Sequence, residues 1–139
     1  MPTVTEPAET LVLRSPRDNV DLVHGFLEEL WTTHTDVGEL DRMAFETALI
    51  ELVSNVLEHA DSGQGVTCVI TVDVDDSTLV ANLSDTAEAG EIQVVGRVMP
   101  SIDAESGRGI ALIQMLVDDL QYERVGEKNL WSISRNRVE

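Results

Sequence analysis

Cysteine is nearly absent: Cys68 is the only one in 139 residues. An internal disulfide is therefore impossible, and the usage fits a reducing compartment. Aromatic residues make up only 4% of the chain, so the core must be built from Leu, Val, Ile and Ala. No apolar run reaches the roughly 20 residues that span a bilayer. The opening "MPTVTEPAET" has neither the basic start nor the apolar centre of a signal peptide. A cytoplasmic protein with no membrane contact is expected. Positive charge is scarce, with 9 Lys and Arg against 26 Asp and Glu, a formal net charge of -17. Such a surface repels nucleic-acid backbones and anionic lipid, which argues against direct nucleic-acid binding, and it steers basic protein partners inward. Familiar nucleotide motifs are missing too. There is no Gly-x-x-x-x-Gly-Lys-Ser/Thr loop and no Gly-x-Gly-x-x-Gly after an opening strand. Neither a His/Cys metal cluster nor a nucleophile with a paired base is evident.

What is present is a single domain. The chain is 42% hydrophobic, enough to bury a core. Residues 1–9 read as a loose tail, and residues 10–139 as one unit. "TLVLRS" reads as a strand, and the segment from Pro16 to His34 has Val20, Val23, Phe26, Leu27, Leu30 and Trp31 near helical spacing. Residues 39–60 carry the strongest helical stripe, Phe45, Leu49, Leu52, Val53, Val56 and Ala60. "VTCVITVDV" and "STLVANLSD" predict a hairpin, and "LQYERVG" with "NLWSISRN" a second one. Between them lie a polar loop at 86–106, long enough to imply a lid, and a helix from Gly109. The order strand, helix, helix, hairpin, loop, helix, hairpin predicts an α/β fold. Helices should lie on one face of a mixed, largely antiparallel sheet, as a two-layer sandwich.

Three polar features stand out. Glu51 and Asn55 lie one turn apart on the long helix, with Asn55 roughly 100° from the centre of the apolar stripe, at the core's edge. An amide there can offer oxygen to a hard cation such as Mg²⁺, and a carboxylate one turn away can orient or deprotonate a hydroxyl. The plainer alternatives are a solvated Glu and an Asn bonded to backbone. His59, nearer the stripe, reads as packed. Asp85, at a strand end, can accept a hydrogen bond from a bound amine, or else cap a turn. "ESGRGIALIQMLVDDL" places Gly107, Arg108 and Gly109 at a helix mouth, where free N–H groups and the helix dipole suit an anion. Packing alone is the duller explanation of those glycines.

Together these stretches resemble the anti-sigma-factor serine/threonine kinases, a bacterial branch of the GHKL, or histidine-kinase-like, ATPases. The resemblance covers roughly residues 10–135. "ELVSNVLEHA" resembles the family's first box, "LSDTAEAG" stands where its Asp-x-Gly-x-Gly box falls, and "SGRGIALIQMLVDDLQY" resembles its Gly-x-Gly helix start. "NLWSISR" is similar to its final strand. The resemblance implies a Bergerat fold with a lid over ATP, Mg²⁺ held by Asn55, and Glu51 as catalytic base. It also implies adenine contacted by Asp85 and phosphate held by Gly107, Arg108 and Gly109. It further implies a homodimer that binds a sigma factor and phosphorylates an anti-sigma-factor antagonist. Leu11, Leu13 and Phe26 serve equally as dimer contacts or core. The chain departs from the family at Ala87 and Ala89, where both box glycines are replaced. That departure motivates an alternative: a protein-binding module of the same fold that sequesters its partner without phosphorylating it.

Overall fold

Two apolar periodicities, of two and of about 3.6 residues, divide this chain into strands and helices. A computed structural model describes residues 9–15, 18–59, 66–86 and 105–138. Most of the tail, most of the lid segment, Pro16, Ala60 and the substituted positions Ala87 and Ala89 lie outside the described residues, as does the side chain of His59.

The elements are β1 (Glu9–Ser15), α1 (Asp21–Thr33), α2 (Glu39–His59), β2 (Val66–Val74), β3 (Thr78–Asp85), α3 (Glu105–Leu116), β4 (Asp119–Val125) and β5 (Lys128–Asn136). The five strands form one sheet in the order β1-β2-β3-β5-β4. All four pairings are antiparallel. The two-layer α/β architecture expected from the element order is the one observed.

Strand alternation sorts the side chains between layers. On β2, Val66, Cys68, Ile70 and Val72 are buried, while Thr67, Val69 and Thr71 between them are half-buried on the other face. The α2 stripe is buried as its spacing predicts, with Phe45, Leu49 and Val53 at 0% exposure. Burying a side chain of that size is worth about 1.5–3 kcal/mol, so this stripe carries much of the fold's stability. Leu13 is fully buried, and Leu11 and Phe26 pack against the same core.

Turn chemistry follows the residues available. Asp75 accepts the N–H groups of Ser77 (2.8 Å) and Thr78 (2.7 Å), closing the β2–β3 hairpin. Those bonds hold its carboxyl below the usual range. Gly126, at φ 61°, takes the left-handed position in the β4–β5 turn, which side chains rarely adopt. Helix α1 starts at Asp21 and not at the proline, because Asn19 Oδ1 takes the Asp21 N–H (2.8 Å) in a turn of its own.

The few cations act as internal clamps. Arg135 donates to buried Asp41 (3.0 Å) and to the Leu116 carbonyl at the end of α3 (2.8 Å). Asp41 also accepts the Val138 N–H at 3.0 Å. The start of α2, the end of α3 and the final strand are thereby tied together. Arg137 bridges Asp36 (3.0 Å) and the Asp75 carbonyl (2.6 Å).

Helix α3 departs from expectation. It begins at Glu105, so Gly107 and Gly109 lie within its first turns and not in a loop before it. Glycine inside a helix costs about 1 kcal/mol relative to alanine. The reason it is placed there lies in α2.

Candidate functional site

Helices α2 and α3 pack against each other, and Gly109 is where they come closest to the expected site. A Cβ on Gly109 would sit 2.6 Å from Asn55 Nδ2 and 3.2 Å from Asn55 Oδ1, closer than real side chains approach. The missing methyl is the notch that seats the Asn55 amide against α3. This contact, remote in sequence, is a physical reason for glycine within the helix.

Asn55 is 4% exposed, and among the described residues its Nδ2 has no hydrogen-bond partner. A buried amide donor left unsatisfied costs about 1–3 kcal/mol, and such groups concentrate where a ligand completes the set. Beside it, the N–H groups of the first turn of α3, Gly107 among them, have no intrahelical acceptor. The Asn55 amide thus meets α3 at Gly109, one turn after the helix begins. The side chain of Arg108 lies outside the described residues. Glu51 is half-buried one turn before Asn55 on the same helix, about 6 Å away between Cβ atoms.

The other expected contact, Asp85, closes β3 opposite Cys68 on β2 and Asn129 on β5. It is 1% exposed. Its Oδ1 accepts from Asn129 Nδ2 at 2.9 Å and its Oδ2 from Trp131 Nε1 at 3.0 Å. Asn129 is fixed in turn, its Oδ1 accepting from the Tyr122 hydroxyl and from Arg124 at 3.1 Å. The Tyr122 and Trp131 rings pack at a tilt of 46°, with centroids 4.5 Å apart. Burial, and after it the negative charge of Asp85, pushes the Cys68 thiol up to about 12. Cys68 is a neutral packing group and no nucleophile.

The structure brings Asn55 and Gly109 together, with Glu51 one turn before Asn55 on α2, and it bonds Asp85 to Asn129 and Trp131 on β5. The partners of Asp85 were not anticipated. The signal was available in "NLWSISRN", whose alternation puts Asn129, Trp131 and Ile133 on one face, with a polar Asn at an inward position. Among the described residues no three His, Cys, Asp or Glu side chains converge as metal ligands. A cation at Asn55 would take the rest of its shell from ligand oxygens and water, which suits Mg²⁺. The buried Asn55 Nδ2 is a donor and suits a phosphate oxygen, while its Oδ1 is the atom that a cation such as Mg²⁺ would need. On the base side each oxygen of Asp85 accepts one bond from β5, and a carboxylate keeps further lone pairs that can accept from a base's amine. A cavity of about 480 Å³ is lined by Val69, Thr71, Asn82, Ser132 and, from the Asp85 cluster, Tyr122 and Trp131, and includes none of Glu51, Asn55, Asp85 and Gly109.

A helical layer on a five-stranded antiparallel sheet, with an amide-bearing helix against a glycine-started one, is the architecture of a class of ATP-binding domains. The family described as histidine kinase-like ATPase domain matches residues 13–134. The chain belongs to that family, within the GHKL superfamily. Among solved structures, the RsbU and RsbW domains of Rv1364c from Mycobacterium tuberculosis superpose with TM-score 0.64 at 16% identity, over 94% of this chain and 32% of that one. This chain thus spans about a third of that protein's length. The nucleotide-free catalytic domain of histidine kinase ThkA gives TM-score 0.56 at 13% identity, over 93% of this chain and 97% of that one. Acinetobacter baumannii histidine kinase AdeS gives 0.52 at 16%, over 94% and 68%. These likenesses are of fold. A comparison with curated proteins finds no match.

Proposed function

We propose that this chain is an ATP-dependent regulatory serine/threonine kinase of the anti-sigma type, binding a sigma factor and phosphorylating an anti-sigma-factor antagonist in the cytoplasm. The observation that carries the reading is the seating of the orphaned Asn55 amide against the glycine-bearing first turns of α3. That juxtaposition supports a phosphate near the Asn55 Nδ2 donor and the start of α3, with Asn55 Oδ1 as the atom that would meet a cation.

Bound Mg·ATP supplies the phosphoryl group and the cation's charge. Asn55 holds the cation's edge of the ligand. The free N–H groups of α3 stabilise negative charge on the phosphate oxygens. Glu51 would accept the proton of the partner's serine or threonine hydroxyl as the phosphoryl group passes to that oxygen and ADP leaves. The net charge of -17 favours basic partners, and a sigma factor needs basic surface to bind DNA. The RsbW domain named in the Mycobacterium tuberculosis structure supports a regulatory role. Isothermal titration with Mg·ATP tests the reading, with binding heat expected; no heat at millimolar nucleotide overturns it.

A second reading is a sequestering module that binds its partner without phosphorylating it. The internal engagement of Asp85 favours it, as do Ala87 and Ala89 in place of the family's glycines. Incubation with the antagonist and labelled ATP separates the two readings: stoichiometric phosphoserine or phosphothreonine supports the kinase, and binding without label supports the module.

A further inference from the structure

Single exposed apolar side chains are ordinary on a folded surface, whereas several gathered in one place mark a contact. Leu40 is 58% exposed, Met43 59%, Met115 82% and Val138 65%. A buried clamp draws them together. Asp41, between Leu40 and Met43 on α2, accepts the Val138 N–H at 3.0 Å and a bond from Arg135 Nε at 3.0 Å. Arg135 also donates to the carbonyl of Leu116, the residue after Met115, at 2.8 Å. The patch thus stands on a fixed floor where the start of α2 meets the end of α3.

The same two helices meet at Asn55 and Gly109, near the end of α2 and the start of α3, so they run antiparallel. The patch and the candidate site therefore occupy opposite ends of one seam. Leu40 and Glu51 are about 16 Å apart along the axis of α2 and about 20° apart around it. Thr47 between them is exposed and uncharged. The rim of the patch is acidic. Glu39 precedes Leu40, and Asp118 and Asp119 lie just beyond α3, all three exposed. The nearby cations are engaged, Arg135 by Asp41 and Arg137 by Asp36. Arg42 lies about 160° around α2 from Leu40, with its Nε buried.

We propose that Leu40, Met43, Met115 and Val138 form a docking site for an amphipathic helix of the partner protein, one whose apolar stripe is flanked by Lys and Arg. Apolar side chains of that helix enter the patch, the two thioethers adapt to their shape, and its cations meet Glu39, Asp118 and Asp119. On the kinase reading above, a partner anchored there presents its hydroxyl at Glu51, about three helical turns away. The docking chemistry itself does not rest on that reading.

The test uses the full chain and a synthetic peptide of about 18 residues, with leucines at helical spacing on one face and lysines on the other. A second peptide carries glutamate in place of lysine. Binding is followed by calorimetry and through ¹³C-labelled methionine methyl groups. The lysine peptide should shift the Met43 and Met115 signals, each assigned by its own substitution. It should bind the double variant Met43→Gln, Met115→Gln at least about tenfold more weakly, and the glutamate peptide should not bind. No binding of the lysine peptide overturns the proposal, as does equal binding of the glutamate peptide. An affinity that the double variant changes by less than about threefold also overturns it, because net charge alone then draws the peptide. So does a wild-type dimer that sediments as a monomer in the double variant, since a second copy then covers the patch. Mg·ATP is titrated into the same samples. If its heat is absent while the lysine peptide binds at the patch, the nucleotide-binding reading fails and the docking site stands.

Discussion

The two ends of the candidate site are built in opposite ways. At the α2–α3 end a buried amide nitrogen is left without a partner, and a side chain is deleted to make room for it. At the β3–β5 end a carboxylate, two amide and indole donors, a phenol and a guanidinium are bonded into a cluster. Unsatisfied buried polarity is a cost that binding can relieve, whereas satisfied polarity is a reason to stay closed. The first end is built to receive something and the second to hold the sheet together.

The largest expected effect breaks the comparison at its open end. Replacing Glu51 by Gln keeps the size of the side chain and removes the base. Phosphotransfer to the antagonist should fall about 10²–10⁴-fold, with the calorimetric affinity for Mg·ATP changed less than about threefold. A parallel loss of affinity would mean that Glu51 supports the site's structure and not its chemistry.

Next in size is the closed end. Asp85→Ala leaves the Trp131 and Asn129 donors facing an apolar gap, and removing one partner of a buried charged cluster costs about 3–5 kcal/mol. Urea denaturation followed by far-ultraviolet circular dichroism measures it. A loss below about 1 kcal/mol would show that the cluster is not the strut its geometry indicates.

How far each end could be read from sequence follows the same division. The α2 stripe of Phe45, Leu49, Leu52, Val53 and Val56 is a local periodic signal, and so is the burial alternation along β2; both were legible. Glu51 and Asn55 were legible as a pair because one helix turn is a local distance. The partners of Asp85 were not, because Asn129 and Trp131 lie 44 and 46 residues away and meet it only through the β3–β5 register. Gly109 falls between these cases. The glycine itself marks a special position, yet spacing cannot say whether it serves a turn or a neighbour, and the neighbour proves to be Asn55 on another helix. Locally encoded features are read from one segment, while those that depend on register need the fold.

A smaller effect tests that notch. Gly109→Ala should gain helix propensity, about 1 kcal/mol, and lose more to the methyl placed 2.6 Å from Asn55 Nδ2, for a net loss of about 1–2 kcal/mol. In Asn55→Ala the obstruction is gone. The double variant should therefore recover stability, with a coupling of about 1–3 kcal/mol in a double-mutant cycle. Additive effects would place the methyl's cost somewhere other than Asn55.

The smallest effect probes the closed end through its neighbour. Cys68 has its thiol pushed from the ordinary 9.0 up to about 12, by burial first and by the charge of Asp85 second. Because the folded value is raised, the native state holds this proton where the unfolded chain has released it. The contribution is fully present below pH 9, and it is lost as pH rises from 9.0 toward about 12. Thiolate absorbance titrated on the folded chain should show this late onset. Asp85→Asn should bring it down, though not back to the ordinary range, since burial remains. A thiol that ionises normally in the wild type would mean that the pocket around Asp85 admits water. An unchanged value in Asp85→Asn would mean that the carboxylate's charge does not reach the thiol. Either result would loosen the closed end, and with it the contrast between an end that binds and an end that braces.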